Sequence, residues 1–254
     1  MAQENKIFIF SDIDDTLIQT TRKTNLDKKT NVWVVGVDKK PISHIYEGVE
    51  KLVRTTMKSQ DISIIPTTAR TIESYQRTAL YSDTSLRDNI EFVILNFGGV
   101  ILVNNQIDKN WEGIIETKYQ SLNLPLNRVF KDINTTLNQK FSNYNLKIRL
   151  LENFYVDILN KYHRDNDKLS SEIYQTIKEY INDEYYIYTN GSSFAILPNF
   201  LNKKFAVEHI IKKENPILTI GAGDNQNDLD FMFETDFLLI PNGSYNAKIL
   251  SQNR

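Results

Sequence analysis

Cysteine is absent from the 254 residues of the chain, so disulfide bridges, thiolate nucleophiles and cysteine-bound zinc or iron–sulfur centres are all excluded. Long apolar runs are missing too: none reaches the length of a membrane span or of a signal-peptide core, and the opening residues, MAQENK, are polar. The expectation is a cytoplasmic protein that makes no membrane contact. Nor is charge of one sign in excess. Lysine and arginine number 30 against 32 acidic residues, for a formal charge of -2, which gives no bulk attraction to nucleic acid or to an anionic surface. Any affinity for phosphate must come from a local site. Internal repeats and low-complexity tracts do not stand out, and the length suits one large domain or a core carrying an inserted subdomain.

What is present is concentrated first in Lys6 to Leu17, KIFIFSDIDDTL. The run Ile7, Phe8, Ile9 and Phe10 reads as a buried strand, and it leads directly into Asp12, Asp14, Asp15 and Thr16. Two carboxylates about 4 Å apart repel by about 4 kcal/mol at an effective dielectric near 20, so reactive acids here need a cation nearby. The alternative is that they cap the turn after the strand. The segment alone supports both readings.

A polar stretch follows, Gln19 to Lys40, interrupted by Val32 to Asp38, which reads as a hairpin or flap beside the strand end. Ser43 is placed as the cap of a helix carrying Ile45, Val49, Leu52, Val53 and Met57 on its core face. A second strand, Ile62 to Pro66, ends in Thr67-Thr68-Ala69-Arg70; a helix is expected from Ile72 to Tyr81, and a third strand, Phe92 to Leu95, closes at Asn96-Phe97-Gly98-Gly99. This strand–helix alternation predicts an α/β fold, a mostly parallel Rossmann-like core sheet flanked by helices, with ligands beyond the carboxyl ends of the strands. From about Asn105 the pattern becomes αββαββ, with Asn190-Gly191 marking the last hairpin, and predicts an inserted α+β subdomain over 105–197 between core segments 1–104 and 198–254. The core then resumes with Lys203 and Lys204 at a helix start, the strand Pro216 to Ile220, the turn Gly223-Asp224-Asn225-Gln226-Asn227-Asp228 and a last strand, Phe237 to Ile240.

Strand ends and one helix start therefore carry Asp12 and Asp14, Thr68, Lys203, and Asp224 with Asp228. That set suits phosphoryl transfer through a covalent aspartyl phosphate, with a hard cation such as Mg²⁺ held by oxygen ligands. Asp12 and Asp224 are the candidate side-chain ligands. Thr68 can donate to a phosphoryl oxygen, and Lys203 can balance the charge of the acids and the phosphate. Asp14 is left as the general acid for the leaving oxygen and then the base for water, a role that needs it protonated when substrate is bound.

These motifs, in this order, resemble those of the haloacid dehalogenase superfamily of phosphatases and phosphotransferases. Asp12-Ile13-Asp14-Asp15-Thr16 is similar to its DxDxT motif, Thr68 to its second-motif threonine, Lys203 to its lysine and Gly223 to Asp228 to its acidic fourth motif. The inserted αββαββ pattern resembles the compact C2-type cap of the superfamily's Cof-like and sucrose-phosphatase-like group. The resemblance implies Mg²⁺, Asp12 as nucleophile, and Asp14 as acid–base with its backbone carbonyl on the metal. It implies a phosphatase for a phosphorylated sugar or similar small phosphate ester; a sugar phosphomutase and a catalytically silent binding module are the alternatives. Asp15 stands where the superfamily usually has glycine, Ala69 departs from its TGR, and Lys204 occupies another usual glycine. Lys203 is preferred over Lys204 because Ala206 then falls at the expected offset.

Asp228 binds the metal directly, holds one of its waters or starts the helix at Leu229. Asp15 is read as a turn residue. Arg70 and Asn96 lie near strand ends within reach of substrate; Tyr155, Tyr186 and Tyr188 suit either a sugar pocket or packing. His209 reads as structural, and His163, in Lys161-Tyr162-His163-Arg164, as part of a solvated loop.

Overall fold

The alternating run at the start of the chain forms a strand, β1 (Ile7–Ser11), in which Phe8 and Phe10 are completely buried. The computed structural model describes residues 6–25, 27–160, 163, 165–191 and 193–252, so Lys161, Tyr162 and Arg164 lie outside the described residues. After β1 come β2 (Gln19–Thr20), β3 (Thr30–Val35), β4 (Pro41–Tyr46), α1 (Glu47–Thr56), β5 (Ile62–Pro66), three short helices α2 (Ile72–Gln76), α3 (Ala79–Ser82) and α4 (Thr84–Arg87), then β6 (Phe92–Leu95), β7 (Val100–Val103) and β8 (Gln106–Ile107). The chain continues through α5 (Lys109–Gln120), α6 (Leu126–Lys140), β9 (Lys147–Leu151), β10 (Tyr155–Leu159), α7 (Asp167–Lys178), β11 (Tyr185–Asn190) and β12 (Ser193–Pro198). It ends with α8 (Lys203–Glu214), β13 (Leu218–Ala222), α9 (Leu229–Met232), β14 (Phe237–Leu239) and α10 (Tyr245–Gln252).

The chain divides into two compact units, residues Met1–Glu112 with Asn202–Arg254, and Gly113–Leu201. In the first, a parallel sheet runs in the order β14-β13-β1-β5, so β1 lies between a strand made soon after it and one made near the end of the chain. A parallel bridge from Thr67 to Ile94 continues the sheet toward the antiparallel set β6-β7-β8. Burial on both sides explains why β1, β5 and β6 read as near-continuous apolar runs. The second unit is αββαββ from α6 onward, with an antiparallel sheet of order β11-β12-β10-β9. Val129, Ile133 and Leu137 of α6, Ile173 and Ile177 of α7, and Val156, Ile158, Phe194 and Ile196 of the sheet form its core. The division falls inside α5, later than the stretch beginning at residue 105 read from the sequence. The hairpin β7–β8 belongs with the first unit, where the Trp111 indole donates to the Gly98 carbonyl at 2.8 Å.

Two local expectations are corrected. Ser43 does not cap a helix: it is buried in β4, the helix begins at Glu47, and Leu52 faces solvent. Ile45 and Tyr46, β-branched and aromatic, pair with Asn31 and Thr30 of β3 instead. The helix expected over Ile72 to Tyr81 is broken at Thr78, whose backbone is extended because it bridges Val34 of the flap. The flap itself, β2-β4-β3, is pinned by its buried Trp33 and by Glu50 of α1, which accepts from Asn31 at 2.6 Å and Arg54 at 2.8 Å as well as from Trp33.

The turn after β6 is unusual. Asn96, Phe97 and Gly98 all have positive φ, at 50°, 56° and 94°. A Cβ on Gly98 would lie 2.6 Å from the Asn202 carbonyl oxygen and 3.2 Å from the Lys203 Cα. Glycine is therefore required both for the conformation and for the approach of the α8 start. Gly98→Ala is expected to lower stability by about 2 kcal/mol or more, read as a fall in Tm on thermal unfolding; an unchanged Tm would show that this contact is not constraining.

Candidate active site

Parallel pairing brings the loop residues together. Ser11 is in register with both Ala222 and Pro66, so β1, β13 and β5 reach their carboxyl ends at one level. Asp12 donates its N–H to the Ala222 carbonyl at 2.9 Å, Thr67 donates to Ser11 at 2.8 Å, and Thr68 donates to Ile94 at 2.9 Å. Chain segments distant in sequence thus open into one place, beyond the strand ends where an α/β sheet offers its crevice.

Lys203 enters from the first position of α8, whose cap Asn202 accepts from the Lys204 amide. Its ammonium is buried and donates to Asp12 Oδ1 at 2.7 Å and to Asp228 Oδ1 at 2.8 Å. Lys204 points elsewhere, to Glu234 at 2.9 Å. Asp12 keeps Oδ2, which among the described residues accepts only a long 3.4 Å contact from the Thr16 hydroxyl, and the same hydroxyl lies 3.4 Å from Asp224 Oδ1. Asp228 uses both oxygens, since Oδ2 accepts the Asn225 amide at 3.2 Å in a capping box that shapes the turn. Gly223 makes this possible, because a Cβ there would sit 2.5 Å from the Cβ of Asp228.

Carboxylate oxygens of Asp12, Asp224 and Asp228 lie within 4.8 Å of one another, drawn from two loops. An all-oxygen set carrying this much negative charge fits a hard divalent cation such as Mg²⁺. Burial pushes the Asp12 carboxyl up, opposed by Lys203. Asp224 is pushed up to about 6, first by burial and then by the neighbouring charges of Asp228 and Asp15. Both shifts come first from burial, with neighbouring carboxylates adding to it.

Asp14 stands apart from the cluster. Its two oxygens accept from Arg70 Nε and Nη2, both at 2.7 Å, while Arg70 Nη1 donates to the Ser74 hydroxyl at 3.0 Å. Thr68 is buried and its Oγ1 accepts the Arg70 amide at 3.2 Å, which leaves its own O–H to donate. The turn at Asn96 holds this loop in place, as the Asn96 amide donates to the Arg70 carbonyl at 2.9 Å and the Phe97 amide to Thr68 at 3.3 Å. Sequence reasoning found neither the Arg70–Asp14 pair nor the ion pair between Asp15 and Lys23. Lys23 carries no motif signal, being one of several cations in a polar stretch. His209 packs against Trp111 at 4.8 Å and His163 against Tyr144 at 5.1 Å between ring centroids. In the second unit Tyr155 and Tyr188 alternate with the strand residues that face its helices, beside the ion pair of Arg149 with Asp157.

Comparison with known proteins places this fold. Among solved structures, sucrose-phosphatase from Synechocystis, in complex with sucrose and phosphate, is similar over 98% of this chain and 97% of its own, with a TM-score of 0.57 at 14% identity. A trehalose-6-phosphate phosphatase related protein gives 0.53 at 19% identity over 97% and 96% of the two chains. A protein from Eubacterium rectale gives 0.60 at 11% over 96% and 91%. No curated protein sequence matches. The fold is that of the haloacid dehalogenase superfamily, and the chain is a phosphoric monoester hydrolase of that class. More narrowly, residues 5–252 match the family model of sucrose-6F-phosphate phosphohydrolase, and the chain belongs to that family.

The Asp224 shift has a measurable consequence. A carboxyl whose folded pKa is about 6, against an ordinary 3.8, favours folding while protonated, and that contribution is lost as pH rises through about 6. A divalent cation that takes the proton's place restores it. Added Mg²⁺ is expected to raise Tm more at about pH 7.5 than at about pH 5. Equal shifts at both pH values, or none at either, would contradict a cation site at Asp224.

Proposed function

We propose that the chain is a Mg²⁺-dependent phosphatase acting on a phosphorylated sugar through an aspartyl phosphate on Asp12. The observation that carries the mechanism is the asymmetric hold on Asp12: Lys203 takes Oδ1 and leaves Oδ2 to attack. The new O–P bond forms as the P–O bond to the sugar breaks. Asp14 gives a proton to the departing sugar oxygen and then takes one from the water that attacks phosphorus, releasing inorganic phosphate and restoring the Asp12 carboxylate. To do so Asp14 must first be released from at least one of its two bonds to Arg70. Thr68 donates to a phosphoryl oxygen, and Lys203 balances charge as it accumulates.

Asp12, Asp224 and the backbone carbonyl of Asp14 would hold the metal, with Asp228, both of whose oxygens are already engaged, fixing Lys203 and the 223–228 turn. When bound, Mg²⁺ supplies charge neutralisation between the attacking carboxylate and the phosphoryl group. The second unit, Gly113–Leu201, is the cap that sets substrate specificity. The choice of a sugar phosphate is supported by the family match and by the similarity to sucrose-phosphatase and to a trehalose-6-phosphate phosphatase related protein.

The test is Mg²⁺-dependent release of inorganic phosphate from a panel that includes sucrose 6F-phosphate and trehalose 6-phosphate. Release from sugar phosphates is expected, and its absence across the panel would overturn the reading. Asp12→Asn is expected to abolish turnover, and Asp14→Asn to lower kcat by roughly 10²–10⁴-fold. Full turnover by the Asp14 variant would remove the acid–base assignment.

A further inference from the structure

One main-chain turn supports three of the groups around the candidate active site. Asn96 and Phe97 follow β6 with φ of 50° and 56°, a left-handed conformation that a bulky residue such as phenylalanine rarely adopts. Strain of this kind persists only where the surroundings over-determine it, and it collects where position matters. The connection between β6 (Phe92–Leu95) and β7 (Val100–Val103) does not itself demand it, since a loop of that length commonly joins antiparallel strands through an unstrained type I turn. What the conformation achieves is the aim of backbone groups. The Asn96 amide donates to the Arg70 carbonyl at 2.9 Å and the Phe97 amide to the Thr68 carbonyl at 3.3 Å, so the turn holds the loop that carries Thr68 and the partner of Asp14. On its other side Gly98 lies so near the start of α8 that a Cβ there would stand 3.2 Å from the Lys203 Cα. Thr68, Arg70 and Lys203 thus share one support.

That support is itself held by Trp111. The indole N–H, the one polar group of a side chain in a residue only 5% exposed, donates to the Gly98 carbonyl at 2.8 Å. The indole ring packs against His209 of α8 at 4.8 Å between centroids. A single side chain therefore braces both the turn and the helix that Lys203 begins. Its own place is fixed by Asp108, whose Oδ1 accepts the Asn110 and Trp111 amides at 2.9 and 3.2 Å and whose Oδ2 accepts from Lys213 of α8 at 3.2 Å. Phenylalanine could supply an aromatic face toward His209; the bond to Gly98 requires the tryptophan donor.

We propose that Trp111 is a positioning residue: through its hydrogen bond to Gly98 and its contact with His209 it sets the 96–98 turn against α8, and with them the placement of Thr68 and Lys203 about the phosphoryl group. Without that bond the Gly98 peptide is free to turn and the left-handed conformation can relax. A displacement of about 1 Å at reacting groups costs up to about 10²-fold in rate. The inference rests on the phosphatase reading of the same site, and its test includes a binding measurement that needs no turnover.

Two variants of the full chain are compared with the wild type at a temperature where all are folded. One is Trp111→Phe. The other carries 3-benzothienylalanine at position 111, which keeps the shape of the indole with sulfur in place of N–H and so decides the matter if the phenylalanine variant folds poorly. The readouts are kcat and KM for a hydrolysed sugar phosphate, and the Kd of orthovanadate with Mg²⁺, a mimic of the five-coordinate phosphoryl group. Each variant is expected to lose about tenfold in kcat with KM changed less than about twofold, and to bind vanadate about tenfold more weakly. A purely structural tryptophan would lower Tm and leave kcat and vanadate affinity of the folded enzyme as they are. That result would overturn the proposal and leave the phosphatase standing. A wild type that hydrolyses no ester, with vanadate affinity lost in the variants, would overturn the phosphatase reading and leave this one. A wild type that neither hydrolyses an ester nor binds vanadate would overturn both.

Discussion

One buried ammonium holds the site together. Lys203 lies between Asp12 and Asp228, at 2.7 and 2.8 Å, with little solvent to share its charge. Removing a partner from such a group leaves an uncompensated buried charge, at a cost of about 3–5 kcal/mol. The surrounding structure is arranged to keep the three in place. Gly98 lets the α8 start come close, Asn202 caps that helix, Gly223 lets Asp228 approach, and Asp228 fixes its own turn through the Asn225 amide. Each of these is a backbone or capping feature, so the position of one charged atom is set by main-chain geometry rather than by a flexible side chain alone.

A second level of organisation acts on Asp14. Its fork-like pair with Arg70 depends on the Ser74 hydroxyl and carbonyl, which steady the third guanidinium nitrogen, and on the left-handed turn at Asn96, whose amide holds the Arg70 carbonyl. Asp12 and Asp14, two residues apart, thus answer to different neighbours. One is tied to the helix that begins at Lys203, the other to the loop after β5. The two ties differ in construction: Lys203 is buried, while Asp14 is 42% exposed.

What could be read from the residues follows from how local the cause is. Ile7 to Phe10 and the αββαββ stretch carry their period in the chain itself, and both formed as strands and helices where expected. The acids of the DxDxT run stand at the end of β1 because strand ends are visible in sequence. Ser43 was misread because a serine before an apolar stripe resembles a helix cap, and only the partner strand β3 decides otherwise. The break at Thr78 has the same kind of cause, a bridge to Val34 more than forty positions earlier. The Arg70–Asp14 and Lys23–Asp15 pairs are contacts between turns. Neither has a periodicity to betray it, and Lys23 is placed by a strand only two residues long.

The central place of β1 also has a consequence in time. Its neighbour β5 is at hand early, but the lysine that meets Asp12 comes 191 residues after that aspartate, and its other neighbour, β13, later still. On a ribosome the first unit can therefore be only half closed while the second is being made, with the apolar edge of β1 waiting unpaired. The αββαββ unit, whose core among the described residues runs from Tyr119 to Ile196 of the chain, has what it needs to fold first. The acids would thus stay without their lysine until almost four-fifths of the chain had emerged, and a chain cut short before α8 would present an open strand edge where a complete one presents the pair of Asp12 with Lys203.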